Sequence, residues 1–196
     1  MPNKELMFRG RRLHYKIEGS GTTVVLIHGF AEDHSIWRYQ IEALSKKHQI
    51  ITPDIPGSGK SEAMEDEEIN IEDFAEAIDK VIEAEKIDQF ILMGHSMGGY
   101  ISLAYLEMFP EKIKALGLIH STSFADSESK IQNRKKSIEF IKNNGSEPFL
   151  KTIIPDLYFD KIEENTNIEM HFFVANQIKS SSLIQYYNAM IKIISN

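Results

Sequence analysis

Short apolar runs alternate with amphipathic segments up to about residue 123. The runs 23–27 and 90–93 are continuous and apolar or β-branched, which is typical of strands buried on both faces of a sheet. Segments 71–82 and 100–108 instead place apolar residues at helical spacing. This alternation predicts an α/β fold, a mostly parallel sheet with flanking helices. The strands expected from the pattern are 6–8, 13–17, 23–27, 49–52, 90–93 and 115–119, and the first two form a hairpin.

Two polar residues stand where helices are expected to begin. Ser35 precedes a segment that places Trp37 and Ile41 on one face, and Asn70 precedes the segment 71–82. Both side-chain types accept hydrogen bonds from the free amides of a first helical turn. The sequence therefore predicts Ser35 and Asn70 as N-caps.

The pattern changes at about Phe124, where amphipathic helical segments replace the strands. The expected helices are 131–143, 148–154 and 180–194, and Phe, Tyr and Met side chains are frequent among them. We therefore predict two parts, a sheet-based core over residues 1–123 and a helical cap over residues 124–196. A cap that lies over the sheet with these side chains would make a pocket apolar.

Composition narrows the classes of function. The net charge is −7 with no basic patch, which argues against nucleic acid and anionic membranes as partners. The absence of cysteine excludes thiol catalysis, disulfides and cysteine metal sites. The first ten residues lack the apolar segment of a signal peptide, and the uncharged run 89–106 contains His, Ser and Gly, so neither predicts a membrane span. The expected location is the cytoplasm.

One motif carries the chemistry. Gly94-His95-Ser96-Met97-Gly98 follows a predicted strand and precedes a predicted helix, which is the context of a nucleophile elbow. A tight turn there would lift the Ser96 hydroxyl clear of the backbone. It would also direct the Met97 N–H towards an oxyanion formed on a carbonyl that Ser96 attacks.

Together with two further motifs, the elbow resembles the α/β-hydrolase family and its capped, esterase-like members. The further motifs are His28-Gly29-Phe30 after the third strand and Asp54-Ile-Pro-Gly-Ser-Gly-Lys-Ser61 after the fourth. The resemblance implies Ser96 as nucleophile, the Phe30 and Met97 N–H groups as oxyanion-hole donors, and Phe30, Trp37 and Met97 near the substrate. The alternative role of Trp37, favoured by its place on the first helix, is packing in the core. It implies hydrolysis of a carboxylic ester through an acyl-enzyme, without metal or cofactor. The Phe, Tyr and Met side chains of the cap favour a small or medium apolar acyl group.

The resemblance also implies a catalytic acid and a catalytic histidine, and no residue of this sequence matches either family position. In the family both follow strands beyond the cap, whereas this sequence ends at Asn196 among cap-like helices, so the C-terminal part of the fold is expected to be missing. The chain is then a piece of a longer hydrolase, or a short homologue that binds without catalysis, or an enzyme with substitutes. Candidate substitutes are Asp126 as acid and His171 or His120 as base.

The other histidines are expected to have no catalytic role. The resemblance implies that His28 braces the oxyanion loop, and His95 is expected to be packed and hydrogen-bonded. His14, His34 and His48 are expected at the surface.

Two further expectations concern partners. The strand 115–119 would be an exposed sheet edge, which predicts self-association through that edge. A rival function is nucleotide binding, because residues 57–61 contain the GKS of a phosphate-binding loop. That pattern needs a glycine where Asp54 stands, and Pro56 removes an amide donor, so we consider the rival weak.

Overall fold

The structure, a computed structural model, describes residues 3–193, and in these residues six strands form one sheet in the order β1-β2-β4-β3-β5-β6. The strands are β1 (Asn3–Phe8), β2 (Arg11–Glu18), β3 (Thr22–Ile27), β4 (His48–Pro53), β5 (Phe90–His95) and β6 (Ile113–Ile119). All six were predicted, and each observed strand contains its predicted segment. The apolar run in β3 is continuous because both faces of the sheet are covered there, whereas exposed and partly buried residues alternate in β1.

Strand direction determines where the loops meet. β1, β2 and β4 pair antiparallel, whereas β3 pairs parallel with both β4 and β5, and β5 pairs parallel with β6. In the register of β3 and β5, Ile27 lies opposite Gly94. The loops that begin at His28 and Ser96 therefore leave the sheet side by side, at the carboxyl edge where α/β folds bind ligands.

Seven α-helices surround the sheet within the described residues. They are α1 (Arg38–Leu44), α2 (Ile71–Ala84), α3 (Met97–Met108), α4 (Glu128–Asn144), α5 (Ser146–Ile153), α6 (Asn165–Ala175) and α7 (Ser180–Ile191). Trp37 and Ile41 pack with Val24 and Leu26 in one apolar cluster, while α2 and α3 pack with the alternate residues of the same strand. The sheet is thus covered on both faces, as the sequence predicts.

The helix starts were predicted in part. Asn70 caps α2 as expected, in a reciprocal arrangement in which the Asn70 amide donates to Asp73 Oδ2 at 2.7 Å. The Ser35 prediction was wrong, because the carboxylate of Asp33 accepts the Ser35 amide at 2.8 Å and starts a short 3₁₀ turn before α1. The carboxylate of Asp33, the residue directly before the turn, serves the same role as the expected hydroxyl.

The cap, helices α4 to α7, packs directly onto the core. Leu150, Leu183 and Tyr186 are fully buried in the same hydrophobic cluster as α2 and α3, and the Tyr186 hydroxyl donates to Pro56 O at 2.9 Å. Helix α6 was not predicted, because much of its surface is exposed and it lacks a clear apolar stripe. The division into two domains at residue 124 stays a prediction.

Residues 3–193 include no helix long and apolar enough to cross a membrane.

Candidate active site

Ser96 occupies the corner between β5 and α3. Its backbone adopts φ 50° and ψ −114°, in a region that non-glycine residues rarely enter. Glycine on either side leaves room for this corner, since a Cβ at Gly94 would overlap the carbonyl of Gly98, and a Cβ at Gly98 would overlap the carbonyl of Ile27. This is the geometry expected of a nucleophile elbow.

Hydrogen bonds from the neighbouring strand hold the corner in place. The Ser96 amide donates to Ile119 O at 3.0 Å, and the Ser121 hydroxyl donates to Ser96 O at 2.8 Å. The Gly99 amide also donates to Ser96 O, at 3.0 Å. The strained backbone of Ser96 is therefore fixed from both sides, which leaves its hydroxyl as the free group at the corner.

The two expected oxyanion donors lie at the adjacent strand ends. Met97 is the first residue of α3, so its amide has no acceptor within the helix, and Phe30 lies in the turn that follows β3. The turn is fixed by the Gly29 amide, which donates to Glu32 Oε2 at 2.6 Å, and by Ala31 at φ 60°. The roles of Phe30 and Met97 as oxyanion donors stay proposals.

An open cleft of about 920 Å³ separates the elbow from the cap. Its walls come from the turn after β3, the ends of β5 and β6, and the cap helices. Among the side chains that line it are Phe30, Glu32, His95, Ser96, Met97, Tyr100, His120, Lys130, Arg134, Tyr158, His171 and Tyr187. Phe30 stacks on Tyr187 with ring centroids 4.3 Å apart, so the cap meets the oxyanion turn through an aromatic pair.

His95 lies in the cleft wall beside a buried carboxylate. Its Nδ1 hydrogen-bonds to Glu32 Oε2 at 3.0 Å, as the expectation of a hydrogen-bonded His95 requires. Burial lowers the pKa of His95, but the hydrogen bond and charge of Glu32 outweigh it and hold that pKa above its ordinary value. No local pattern in the sequence indicates this pairing, because Glu32 and His95 follow different strands and lie 63 positions apart.

The structure does not form the suggested pair of Asp126 and His171. Asp126 binds Arg134, whereas His171 Nδ1 contacts the Tyr158 hydroxyl at 3.2 Å and its Nε2 contacts Ala31 O at 3.2 Å. Asp126 precedes α4 and is drawn to that helix's own cations, so it does not reach the histidine. Burial lowers the pKa of His171, which favours its neutral form.

His120 takes a more exposed place in the same cleft. It follows β6 with φ 46°, and its ring centroid lies 5.9 Å from that of His95. Three imidazoles, those of His95, His120 and His171, therefore line one cleft.

Trp37 does not line this cleft, contrary to the expectation that it lies near the substrate. It is 3% exposed and packs under α1 against Val24, Leu26 and Ile50. Its position on the apolar face of the first helix explains this, because that face covers the sheet.

His14 and His34 were wrongly expected at the surface. Both are buried, and their Nδ1 atoms lie 2.8 and 2.7 Å from the two carboxylate oxygens of Asp54. The same carboxylate accepts the Lys60 amide at 3.0 Å and the His34 amide at 2.9 Å. The ligand types could suit a divalent ion, but both oxygens are already satisfied by N–H donors, which is the pattern of a structural network.

The Asp54 network also argues against nucleotide binding. The Lys60 amide, which a phosphate-binding loop would aim at its ligand, donates to Asp54 instead. The next helix begins only at Ile71, so no helix N-terminus follows the loop. His28 is buried beside this loop, where its Nε2 accepts the Ile55 amide at 3.1 Å. The burial of His28 and this contact are those of a structural residue.

The sequence has clear relatives. The sequence profile of the alpha/beta hydrolase fold matches residues 22–144. The chain is 32% identical over 114 residues to a putative carbamate hydrolase, RutD, of Azorhizobium caulinodans, which covers 58% of this chain and 43% of the relative. It is 33% identical over 121 residues to a cis-3-alkyl-4-alkyloxetan-2-one decarboxylase of Shewanella oneidensis, which covers 59% of this chain and 37% of the relative. The chain thus spans less than half the length of these curated relatives.

A solved structure with a similar fold covers nearly the whole chain. A thermophilic esterase from Thermogutta terrifontis, with malate bound, superposes with a TM-score of 0.88 and 22% identity, over 98% of this chain and 73% of the esterase. At this identity the match speaks for the fold alone. Together with the sequence profile, the six-stranded sheet and the elbow, it leads to one conclusion: this chain belongs to the α/β-hydrolase fold family.

Proposed function

We propose that this chain carries the nucleophile of an ester hydrolase that works through a Ser96 acyl-enzyme. The supporting observation is the strained corner at Ser96, which lines an open cleft together with Phe30 and Met97. A serine at an elbow attacks acyl groups, and fixed N–H donors stabilise the oxyanion that forms. Several relatives are named as hydrolases of carbamate, epoxide or succinate-derived substrates, which supports hydrolysis as the broad class.

The proposed reaction needs a base and a water. Ser96 attacks the ester carbonyl, its proton passes to an imidazole, and the alcohol leaves with that proton. Water then releases the acid from the acyl-enzyme with the same imidazole as base. His95, His120 and His171 are the candidates within the cleft, and replacing each in turn identifies the proton acceptor.

One observation favours a second candidate, a hydrolase scaffold that binds without turnover. Within residues 3–193, none of the hydrogen bonds joins an imidazole to the Ser96 hydroxyl, and Asp126 is bound to Arg134 rather than to a histidine. A serine without a base is a weak nucleophile. This candidate predicts that an ester is retained and not cleaved.

Two measurements on Ser96→Ala separate the candidates. The first is hydrolysis of 4-nitrophenyl butanoate, and the second is covalent labelling by a fluorophosphonate followed by intact mass. We expect the unaltered chain to be labelled once and Ser96→Ala to be neither labelled nor active. Ser129→Ala on the exposed face of α4 is the matched control and should behave like the unaltered chain. Equal hydrolysis and labelling in all three chains would refute Ser96 as nucleophile.

A further inference from the structure

The cap wall of the cleft carries more positive than negative charge. Lys130 and Arg134 lie one turn apart on α4 and both line the cleft. Between them is a single carboxylate, Asp126, which lies 3.4 Å from Lys130 Nζ and accepts two hydrogen bonds from Arg134. Two cations share one anion, so this wall keeps one positive charge in excess.

The Asp126 carboxylate is buried and hydrogen-bonded within the protein, so it is not exposed to the cleft. Its side chain is 2% exposed, and the Tyr100 hydroxyl donates to Oδ1 at 3.3 Å. Burial alone would raise the pKa of Asp126, but the hydrogen bond and charge of Arg134 outweigh it and hold that pKa below its ordinary value. The carboxylate therefore stays ionised and positions the guanidinium. Arg134 uses Nε and one Nη2 hydrogen for this, and its remaining N–H groups are free of Asp126.

The other carboxylates that line the cleft do not oppose this charge. Glu32 is buried and turned towards the Gly29 amide and His95. Asp156 is 71% exposed and paired with Lys161 at 2.6 Å. With the charge of Asp156 matched by Lys161, Lys130 and Arg134 outnumber their shared carboxylate on the α4 side of the cleft.

Two aromatic contacts connect Arg134 to Phe30, in the turn after β3. The Arg134 guanidinium lies over the ring of Tyr187, 5.4 Å from its centroid, and Tyr187 stacks on Phe30. One aromatic ring therefore separates the guanidinium from the residue that carries the proposed oxyanion donor. A ligand with its carbonyl at Ser96 could run along this apolar pair and end at the cations.

We propose that the cleft selects carboxylic esters that also bear one ionised carboxylate group. Lys130 and the free N–H groups of Arg134 bind this carboxylate. This inference rests on the proposed function. It also refines the expected apolar acyl group, since the middle of the ligand contacts Phe30 and Tyr187 while its far end is anionic. A guanidinium suits carboxylate geometry, and the ammonium of Lys130 adds charge without a fixed direction.

The test is a comparison of binding that does not depend on turnover. The Ser96→Ala chain cannot form an acyl-enzyme and is titrated by calorimetry with monoethyl glutarate and with diethyl glutarate, which differ by one ionised carboxylate. We expect the monoester to bind about tenfold more tightly. Added salt should reduce that preference, because it screens exposed charges.

Substitutions on α4 assign the preference to its residues. Lys130→Gln should weaken monoester binding several-fold and leave diester binding unchanged. Lys136→Gln removes the same charge from an exposed position of α4 that does not line the cleft, and it should change neither affinity. Because Arg134→Gln leaves a buried carboxylate unpaired and could prevent folding, the double change Asp126→Asn with Arg134→Gln tests the guanidinium. It should also weaken the monoester selectively.

Three results of these titrations would contradict the proposed carboxylate site. Equal affinity for the two esters, no detectable binding of the monoester, or equal effects of Lys130→Gln and Lys136→Gln would overturn the inference. The proposed function fails by a different result, namely labelling and hydrolysis that persist without Ser96. A chain that prefers the monoester but is never labelled at Ser96 would keep the anion site and lose the hydrolase proposal.

Discussion

At the scale of single residues, the charge of His95 depends on one buried neighbour. Its Nδ1 binds Glu32 Oε2, and this bond and charge outweigh burial, so the pKa of His95 is raised. Burial would raise the pKa of Glu32, but the bond and charge of His95 and the Gly29 amide outweigh it and hold that pKa below its ordinary value. Each group therefore favours the charged form of the other, and the stability of the fold becomes linked to pH.

We expect His95→Gln to destabilise the chain most between about pH 4.5 and 6.5. The raised pKa of His95 means that the contribution of the ion pair is complete below the unfolded value of about 6.5 and is lost as pH rises through the folded value. The lowered pKa of Glu32 means that the same contribution is lost as pH falls through the folded value of that carboxyl. The loss in the free energy of unfolding should be about 1.5 kcal/mol where the pair is charged, and smaller at alkaline pH. Urea unfolding of both chains across this pH range measures it.

The matched control for this prediction is a chain in which the Glu32 carboxylate has already been removed. In a Glu32→Gln chain, His95→Gln should no longer cost stability selectively at acidic pH, because the ion pair is absent and burial alone lowers the pKa of His95. A difference between the parent chain and His95→Gln that stays constant or grows as the pH rises above about 6.5 would contradict the assignment.

At the scale of elements, the start of α2 is held by side chains rather than by packing alone. Asn70 and Asp73 satisfy each other's amides at the first turn, and the helix then buries Phe74, Ile78 and Ile82 against the sheet. We expect Asn70→Ala to lower the free energy of unfolding by about 1 kcal/mol, because it removes the acceptor of an otherwise free amide. Thermal or urea unfolding measures the change.

Asn133→Ala provides the same chemical change without a cap. Asn133 is exposed in the interior of α4, where alanine is the better helix former, so this variant should be as stable as the parent chain or slightly more so. Equal losses in Asn70→Ala and Asn133→Ala would show that the cap does not hold α2.

The elements that could be predicted are those whose signal is local. A few consecutive residues are enough to indicate each of these features: the buried strands, the capped helix α2 and the glycines around Ser96. Contacts between distant segments carry no such signal: Glu32 meets His95 across 63 positions, and α6 lacks an apolar stripe because much of its surface is exposed. Asp126 was named as an acid from its place after β6, but its carboxylate binds Arg134, which lies eight positions further along the chain on α4.

At the scale of the whole molecule, β6 is one edge of the sheet and β1 is the other. Within residues 3–193 it pairs with β5 alone. Ile119 directs its carbonyl towards β5, where it accepts the Ser96 amide, so by alternation the backbone groups of Leu116 and Leu118 face outwards. Leu116 and Leu118 are only half-buried, which leaves apolar side chains beside unpaired backbone groups. Such an edge can accept a strand from another chain.

We therefore propose that the chain self-associates through β6, and we expect its mass in solution to rise with concentration. Ala115→Lys places a charge on this exposed edge and should shift the equilibrium towards monomer, since charged side chains oppose strand addition. Ala84→Lys makes the same substitution at the exposed end of α2 and should leave association unchanged. Size-exclusion chromatography with light scattering over a concentration series measures all three chains. A parent chain that stays monomeric at the highest concentration, or equal association of the two lysine variants, would rule out β6 as the contact.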